Sequence, residues 1–313
     1  MVKRRVVLMV RGLKIELAGL RLRNPLMNAS GVFSLTALSL KRLAEAGLGA
    51  VVTKSVGLEA RTGHPNPTVV EVEYGLLNSM GLPNPGVDMA LREMRKAVTS
   101  VDVPVIASVY GFSPQEFREV AKRLNRLPIS ALELNVSCPH VREVGVEIGQ
   151  NEEAIAEVVS KVKGATRKPI FVKLTPNVTD IARMAEAAER AGASGITAIN
   201  TVKAMAIDVE MGTPILGGRF GGLSGPAIKP VAVRCVYEIY DAVRIPIIGC
   251  GGITRWQDAA ELLMAGASAL QVGTAIMHND LPVFRELLTG LKSFLERRGL
   301  KTVREFIGSA HRR

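Results

Sequence analysis

This 313-residue chain is short of several things, and each shortage excludes a class of protein. No uninterrupted apolar run reaches the roughly 20 residues that a membrane helix needs, which argues against a membrane span. Its three cysteines, Cys138, Cys235 and Cys250, are too few and too scattered for a disulfide framework, and with only four histidines they make no zinc motif. A reducing, cytoplasmic compartment suits this cysteine usage. Aromatics make up 4% of the chain, too little for the stacking platforms of a nucleic-acid binder, and its Lys and Arg are interspersed with Asp and Glu. No GxGxxG follows the first strand-like run, so the fingerprint of an open doubly wound sheet is missing.

What is present points elsewhere. The chain is 47% hydrophobic, enough for a large core, and its length suits a single α/β barrel of ~250 residues plus insertions. The net charge of +11 suits an anionic ligand such as a phosphate or a carboxylate. The opening MVKRRVVLMV is basic and then apolar, but charges resume at Arg11 and Lys14 and no small-residue cleavage site follows. It therefore reads as a leading strand rather than a signal peptide.

Short β-rich apolar runs alternate with amphipathic helical stretches along the chain. After a leading hairpin over Lys14–Leu22, the runs are Leu26–Ala29, Ala50–Lys54, Val103–Val109, Ala131–Val136, Ile170–Leu174, Gly195–Asn200, Ile245–Gly249 and Ala269–Val272. The helical stretches after them are Leu38–Ala46, Val87–Val98, Pro114–Leu127, Glu152–Gly164, Asp180–Ala191, Lys229–Ala242, Asp258–Ala265 and Val283–Arg297. Pro114 and Asp180 sit at expected helix starts. Strand followed by helix, eight times, predicts one (β/α)8 TIM barrel domain over residues 1–313, with right-handed crossovers; an open doubly wound sheet is the alternative. The longer loops, Ser55–Gly86, His140–Gln150 and Val202–Pro226, each follow a strand, which places them on the C-terminal, catalytic face.

Polar residues at the ends of apolar strands carry the most information about chemistry. Lys54 ends AVVTKS and is suited to hold an anionic ligand; a lysine snorkelling from a strand end is the plain alternative. In ELNVSCPH, alternation puts Leu132, Leu134 and Val136 on one face and Glu133 and Asn135 on the other. Asn135 can donate and accept at the edge of a ring. Cys138 lies just beyond that strand in a polar loop on the catalytic face, a setting that suits a reactive thiol, with an inert buried cysteine as the equal alternative. Lys173, inside FVKLTPN, needs a partner or a negative charge nearby. AINT presents Asn200 and Thr201, while GCGGI and QVGTA offer Gly251, Gly252 and Gly273, whose N–H groups suit a phosphate after the seventh and eighth strands. GGLSGPAIKP adds another glycine-rich turn, NPLMNASG a small polar turn, and NSMGLPNPG an amide and N–H groups suited to a carboxylate.

Taken in order from NPLMNASG to QVGTA, these motifs resemble the dihydroorotate dehydrogenases of class 1 and cover most of the chain. The stretch INTVKAMAIDVEMGTPILGGRFGGLSGPAIKPVAVR is most similar to the class 1B catalytic subunit. That resemblance implies bound FMN and oxidation of dihydroorotate to orotate in pyrimidine synthesis. Cys138 would take the C5 proton while C6 gives up a hydride. It implies that Ser30, Lys54, Ser55, Asn135, Lys173, Ile199, Gly225, Gly251, Gly252, Gly273 and Thr274 contact the FMN. Lys54, Asn78, Ser79, Met80, Gly81, Leu82, Asn135, Asn200 and Thr201 would contact the substrate. It further implies a homodimer of catalytic subunits, each paired in class 1B with an FAD and [2Fe–2S] subunit that passes electrons to NAD. This chain has no cluster motif of its own.

A thiol base with an ordinary value of about 8.5 predicts turnover that rises toward alkaline pH, and loop His140–Gln150 is placed to act as a lid over it. Two residues depart from the family pattern: His140 stands where an asparagine usually faces the substrate, and Ser108 where class 1B often has an FMN-contacting asparagine. The alternative functions are a uracil-reducing type of pyrimidine flavoenzyme, or a flavin- or phosphate-binding barrel acting as a non-redox isomerase or a binding module. The carboxylate loop NSMGLPN favours dihydroorotate over the first.

Overall fold

The computed structural model describes residues 12–137 and 148–312. The opening MVKRRVVLMV, Cys138, His140 and the expected lid up to residue 147 lie outside the described residues. Eight parallel strands form one sheet: β1 (Leu26–Asn28), β2 (Val51–Val52), β3 (Val105–Val109), β4 (Ala131–Asn135), β5 (Ile170–Leu174), β6 (Gly195–Ala198), β7 (Ile247–Cys250) and β8 (Ala267–Val272). Their spatial order is β1-β8-β7-β6-β5-β4-β3-β2, which brings the last strand beside the first. Runs such as VIASV and IFVKL are buried along their whole length, as expected of strands covered on both faces.

Proline sets the starts of alternate strands. Pro25, Pro104, Pro169 and Pro246 immediately precede β1, β3, β5 and β7. Proline has no N–H to place in a ladder, so a strand start is where it does least harm. Its carbonyl still accepts: Leu270, Val51, Leu132 and Ile196 donate to these four prolines from the adjacent even-numbered strands at 2.8–3.0 Å.

The barrel helices are α1 (Ala37–Glu45), α2 (Val87–Ser100), α3 (Pro114–Leu124), α4 (Glu152–Lys163), α5 (Ile181–Arg190), α6 (Lys229–Ala242), α7 (Trp256–Met264) and α8 (Pro282–Arg297). Local chemistry fixes their starts. Ser113 caps α3 ahead of Pro114, Asn151 caps α4, and Asp180 accepts from the N–H groups of Ala182 and Arg183 at the head of α5. In α3 the buried residues are Phe117, Val120, Ala121 and Leu124, a stripe at helical spacing that packs onto the strands. Among the described residues no helix is long and apolar enough to cross a membrane.

Two features depart from the simple alternation. First, β1 and β2 are not joined by a regular ladder. Asn28 bridges them instead: its Nδ2 donates to Val52 O at 2.8 Å and its Oδ1 accepts from Val52 N at 2.9 Å. Below it, Gly49 N donates to Leu26 O at 2.8 Å. Second, the expected loops 55–86 and 202–226 contain strands of their own. Val69–Val72, Gly75–Asn78, Gly221–Ser224 and Val202–Ala204 pair into a four-stranded antiparallel sheet. The leading hairpin is present as Ile15–Leu17 paired with Leu20–Leu22, and an unforeseen short helix, Ala275–Asn279, follows β8.

Candidate active site

The strands end at one cavity of about 420 Å³. Every described candidate residue named above lines it: Ser30 after β1, Lys54 and Ser55 after β2, the Asn78–Leu82 loop, Asn135 on β4, Lys173 on β5, Ile199–Thr201 after β6, Gly225, then Gly251, Gly252, Gly273 and Thr274 after β7 and β8. Residues 29 to 277 thus converge on a single space.

An extra residue in β2's path aims Lys54 and Ser55 inward. Thr53 N donates to Ile106 O and Val56 N to Ser108 O, each at 3.0 Å, so three steps along one strand match two along the next. Such a bulge ends the regular strand early and re-aims its side chains. It is why β2 covers Val51–Val52 instead of the expected Ala50–Lys54. Ser30 and Ser55 share a hydroxyl bond of 3.0 Å, and Ser55 reaches Ser108 at 2.9 Å. Ser108 is fully buried behind Ser55, one hydroxyl removed from the cavity wall.

The Asn78–Leu82 loop turns sharply, with positive φ at both Gly81 (70°) and Leu82 (60°). A Cβ on Gly81 would lie 2.6 Å from the backbone N of His64, so the turn requires glycine there. The next turn is pinned by buried Asn84, whose Oδ1 accepts from Gly86 N at 2.9 Å while its Nδ2 donates to Leu82 O at 3.0 Å. Asn135 Oδ1 accepts from Asn200 Nδ2 at 3.2 Å and from Ser137 N at 3.3 Å, while its Nδ2 meets no acceptor among the described residues.

At the other end lie donors of a different kind. Among the described residues the backbone N–H groups of Gly251, Gly252, Gly273 and Thr274 meet no acceptor. Gly251 and Gly252 have φ of 129° and 73°, and a Cβ on Gly252 would lie 2.5 Å from Lys229 Cβ. Adjacent N–H groups turned the same way make an anion site. Asp258 holds this loop from below. Its Oδ2 accepts from Thr254 N at 3.0 Å, Thr254 Oγ1 at 2.9 Å and Arg255 N at 3.0 Å, and Lys229 Nζ lies 3.1 Å from Oδ1.

Burial pushes the Asp258 carboxyl up, but these four donors outweigh it and hold it below the ordinary carboxylate value. A lowered folded value means that the carboxylate stabilises the fold above about pH 4, and that this is lost as pH falls through the folded value. Asp258→Asn is therefore expected to cost about 1–3 kcal/mol at neutral pH. Urea unfolding of the two proteins should converge below pH 4. A constant difference down to pH 2 would contradict the charge argument.

Several wall residues have no signal in the sequence. Arg61, whose guanidinium stacks 4.8 Å from the Phe112 ring centroid, and His64, bonded to Ser79 Oγ at 3.0 Å, line the cavity from an insertion that reads as loop. Gln271 and Cys250 also line it, from within strands. Of the two described cysteines, Cys235 is away from the cavity lining, and burial pushes its thiol up to about 11.

Comparison with known proteins agrees with this geometry. The family model described as dihydroorotate dehydrogenase matches residues 12–295. A protein of Pyrococcus abyssi named dihydroorotate dehydrogenase B (NAD(+)), catalytic subunit, is 51% identical over 298 residues, covering 95% of this chain and 99% of its own. Proteins of the same name from Pyrococcus furiosus and Methanosarcina mazei are 52% and 50% identical, each over 96% of this chain and over 99% and 95% of their own. By sequence, fold and the cavity at the strand ends, the chain belongs to the dihydroorotate dehydrogenase family.

Proposed function

We propose that this protein oxidises (S)-dihydroorotate to orotate in pyrimidine synthesis, with FMN as the hydride acceptor, and that the electrons pass to NAD through a partner subunit. Family membership implies a flavin cofactor, and relatives named as catalytic subunits of an NAD(+) enzyme imply a partner. The observation that carries the reading is the union, in one cavity, of a tight amide loop, a buried ammonium and a cluster of N–H groups with no acceptor among the described residues.

These donors fit FMN. The N–H groups of Gly251, Gly252, Gly273 and Thr274 would hold its phosphate, with Gly225 alongside; Lys173, Asn135, Ser30, Lys54, Ser55 and Ile199 would meet the rest of the molecule. When bound, it supplies the two-electron acceptor. Asn78, Ser79, Met80, Gly81 and Leu82 would take the substrate carboxylate, and Asn200, Thr201, Asn135 and Lys54 the ring. Cys138, outside the described residues, would accept the C5 proton as C6 gives up a hydride, leaving a C5–C6 double bond. Ser137, immediately before it in the sequence, lines the cavity and donates to Lys173 O at 2.7 Å.

In this reading the whole chain, 1–313, works as one barrel in the cytoplasm. It forms a homodimer joined to a subunit carrying FAD and a [2Fe–2S] cluster. The test is anaerobic addition of dihydroorotate to the flavin-loaded protein. Prompt bleaching of the flavin with formation of orotate is expected. A bound flavin that dihydroorotate leaves oxidised would overturn the reading.

A further inference from the structure

Inside the barrel, a polar chain runs from Lys173 on the cavity wall through Gln271 to Glu133 and Thr197, and the proposed chemistry gives no role to the groups beyond Lys173. Lys173 on β5 is 5% exposed, and its Nζ donates to Gln271 Oε1 on β8 at 2.9 Å. Gln271 Nε2 donates in turn to Glu133 Oε2 on β4. Thr197 Oγ1 on β6 donates to the same oxygen at 3.0 Å. Glu133 and Gln271 are completely buried, and Glu133 Oε1 meets no donor among the described residues.

A buried ammonium and a buried carboxylate are each costly alone, and a direct pair is the usual remedy. Here an amide stands between them. An amide has one accepting and one donating end. With the carboxylate accepting at Nε2, Oε1 must face the ammonium; the flipped amide would set oxygen against oxygen and NH2 against NH3+. Glu133 therefore decides which end of Gln271 Lys173 meets. Cys250 Sγ lies 4.0 Å from Lys173 Nζ, but burial pushes that thiol up, so it supplies no counter-charge. With one of its three donors on the amide oxygen and one toward Cys250 Sγ, the ammonium keeps a donor for the cavity.

We propose that Glu133 and Gln271 are positioning residues for Lys173: the carboxylate orients the amide, the amide holds the ammonium toward the bound flavin, and the carboxylate charge, one amide away, tempers the ammonium's pull on electrons. This rests on the reading of the cavity as a flavin site. Glu133→Gln removes the charge while its side-chain oxygen still accepts from Gln271 and Thr197, so the fold is kept. The lysine's field then acts without its counterweight, and a nearby reduced flavin, which carries the added charge, is favoured.

The experiment is a redox titration of flavin-loaded wild type, E133Q and E133D, with melting temperatures measured alongside. E133Q should shift the equilibrium toward reduced flavin by about tenfold, a rise of about 30 mV for a two-electron couple. E133D keeps the charge and should stay within about threefold of wild type. An E133Q potential equal to that of wild type, with only a lower melting temperature, means a purely structural role and overturns the proposal. So does an E133D shift of tenfold, which stands even if E133Q fails to fold. A wild-type protein that takes up no flavin overturns the site reading itself, and that is seen before any variant is made.

Discussion

Cys138→Ala is expected to leave the protein folded and able to bind flavin, yet to slow the bleaching of that flavin by dihydroorotate by about 10²–10⁴-fold. A positioned general base contributes a factor of that size to abstraction of a weakly acidic proton. Alanine removes the thiol and little else, so flavin content should be unchanged. The reductive half-reaction, followed by stopped-flow absorbance, separates the two effects. In wild type the rate should climb with pH through the ordinary thiol value of about 8.5, because only the thiolate accepts the proton. In Cys138→Ala that climb should vanish. A variant as fast as wild type would move the base elsewhere on the cavity wall, and His64 would be the next residue to replace.

Asn28→Leu should cost about 2–6 kcal/mol of stability, since a buried group robbed of its partner costs about 1–3 kcal/mol and here there are two. The side chain makes two bonds to β2, and both partners are backbone groups of Val52. Leucine is close in volume, so packing is disturbed little while the N–H and the C=O of Val52 lose their partners. Against the 5–15 kcal/mol of a typical folded protein, the loss should be visible as a large drop in the urea midpoint. A loss under 1 kcal/mol would mean that water or a shifted strand takes over those groups.

The barrel was legible because its strands are apolar throughout and its helices carry a stripe at helical spacing, so the alternation survives in the bare sequence. Predicted strand limits miss where hydrogen bonding, not hydrophobicity, decides the end. The run Ala50–Lys54 is cut to Val51–Val52 by the extra residue near Lys54, which nothing in AVVTKS announces. The four-stranded sheet in the insertions was not legible. Its segments GLLN and GGLS are short and partly glycine, and they pair across a separation that puts Asn78 and Gly222 144 residues apart. Cavity residues at strand ends stood out as polar letters after apolar runs. Glu133 and Gln271 did not, because a polar residue inside a strand shows its partners only once the sheet has curled round to bring β4 and β8 face to face.

The joint between β1 and β2 also bears on the order in which the protein is made. On its other side β1 has a true ladder, Leu26 to Asn28 against Leu270 to Val272 of β8. Among the described residues, the strand that leaves the ribosome first of the eight thus has its regular backbone ladder with the strand that leaves last. Until residue 272 has emerged, the described residues tether β1 through Asn28 on Val52 and through Gly49 N on Leu26 O. A nascent chain halted after β7 would carry its first strand with no ladder at all, and completing the ring is a task that falls to the end of synthesis.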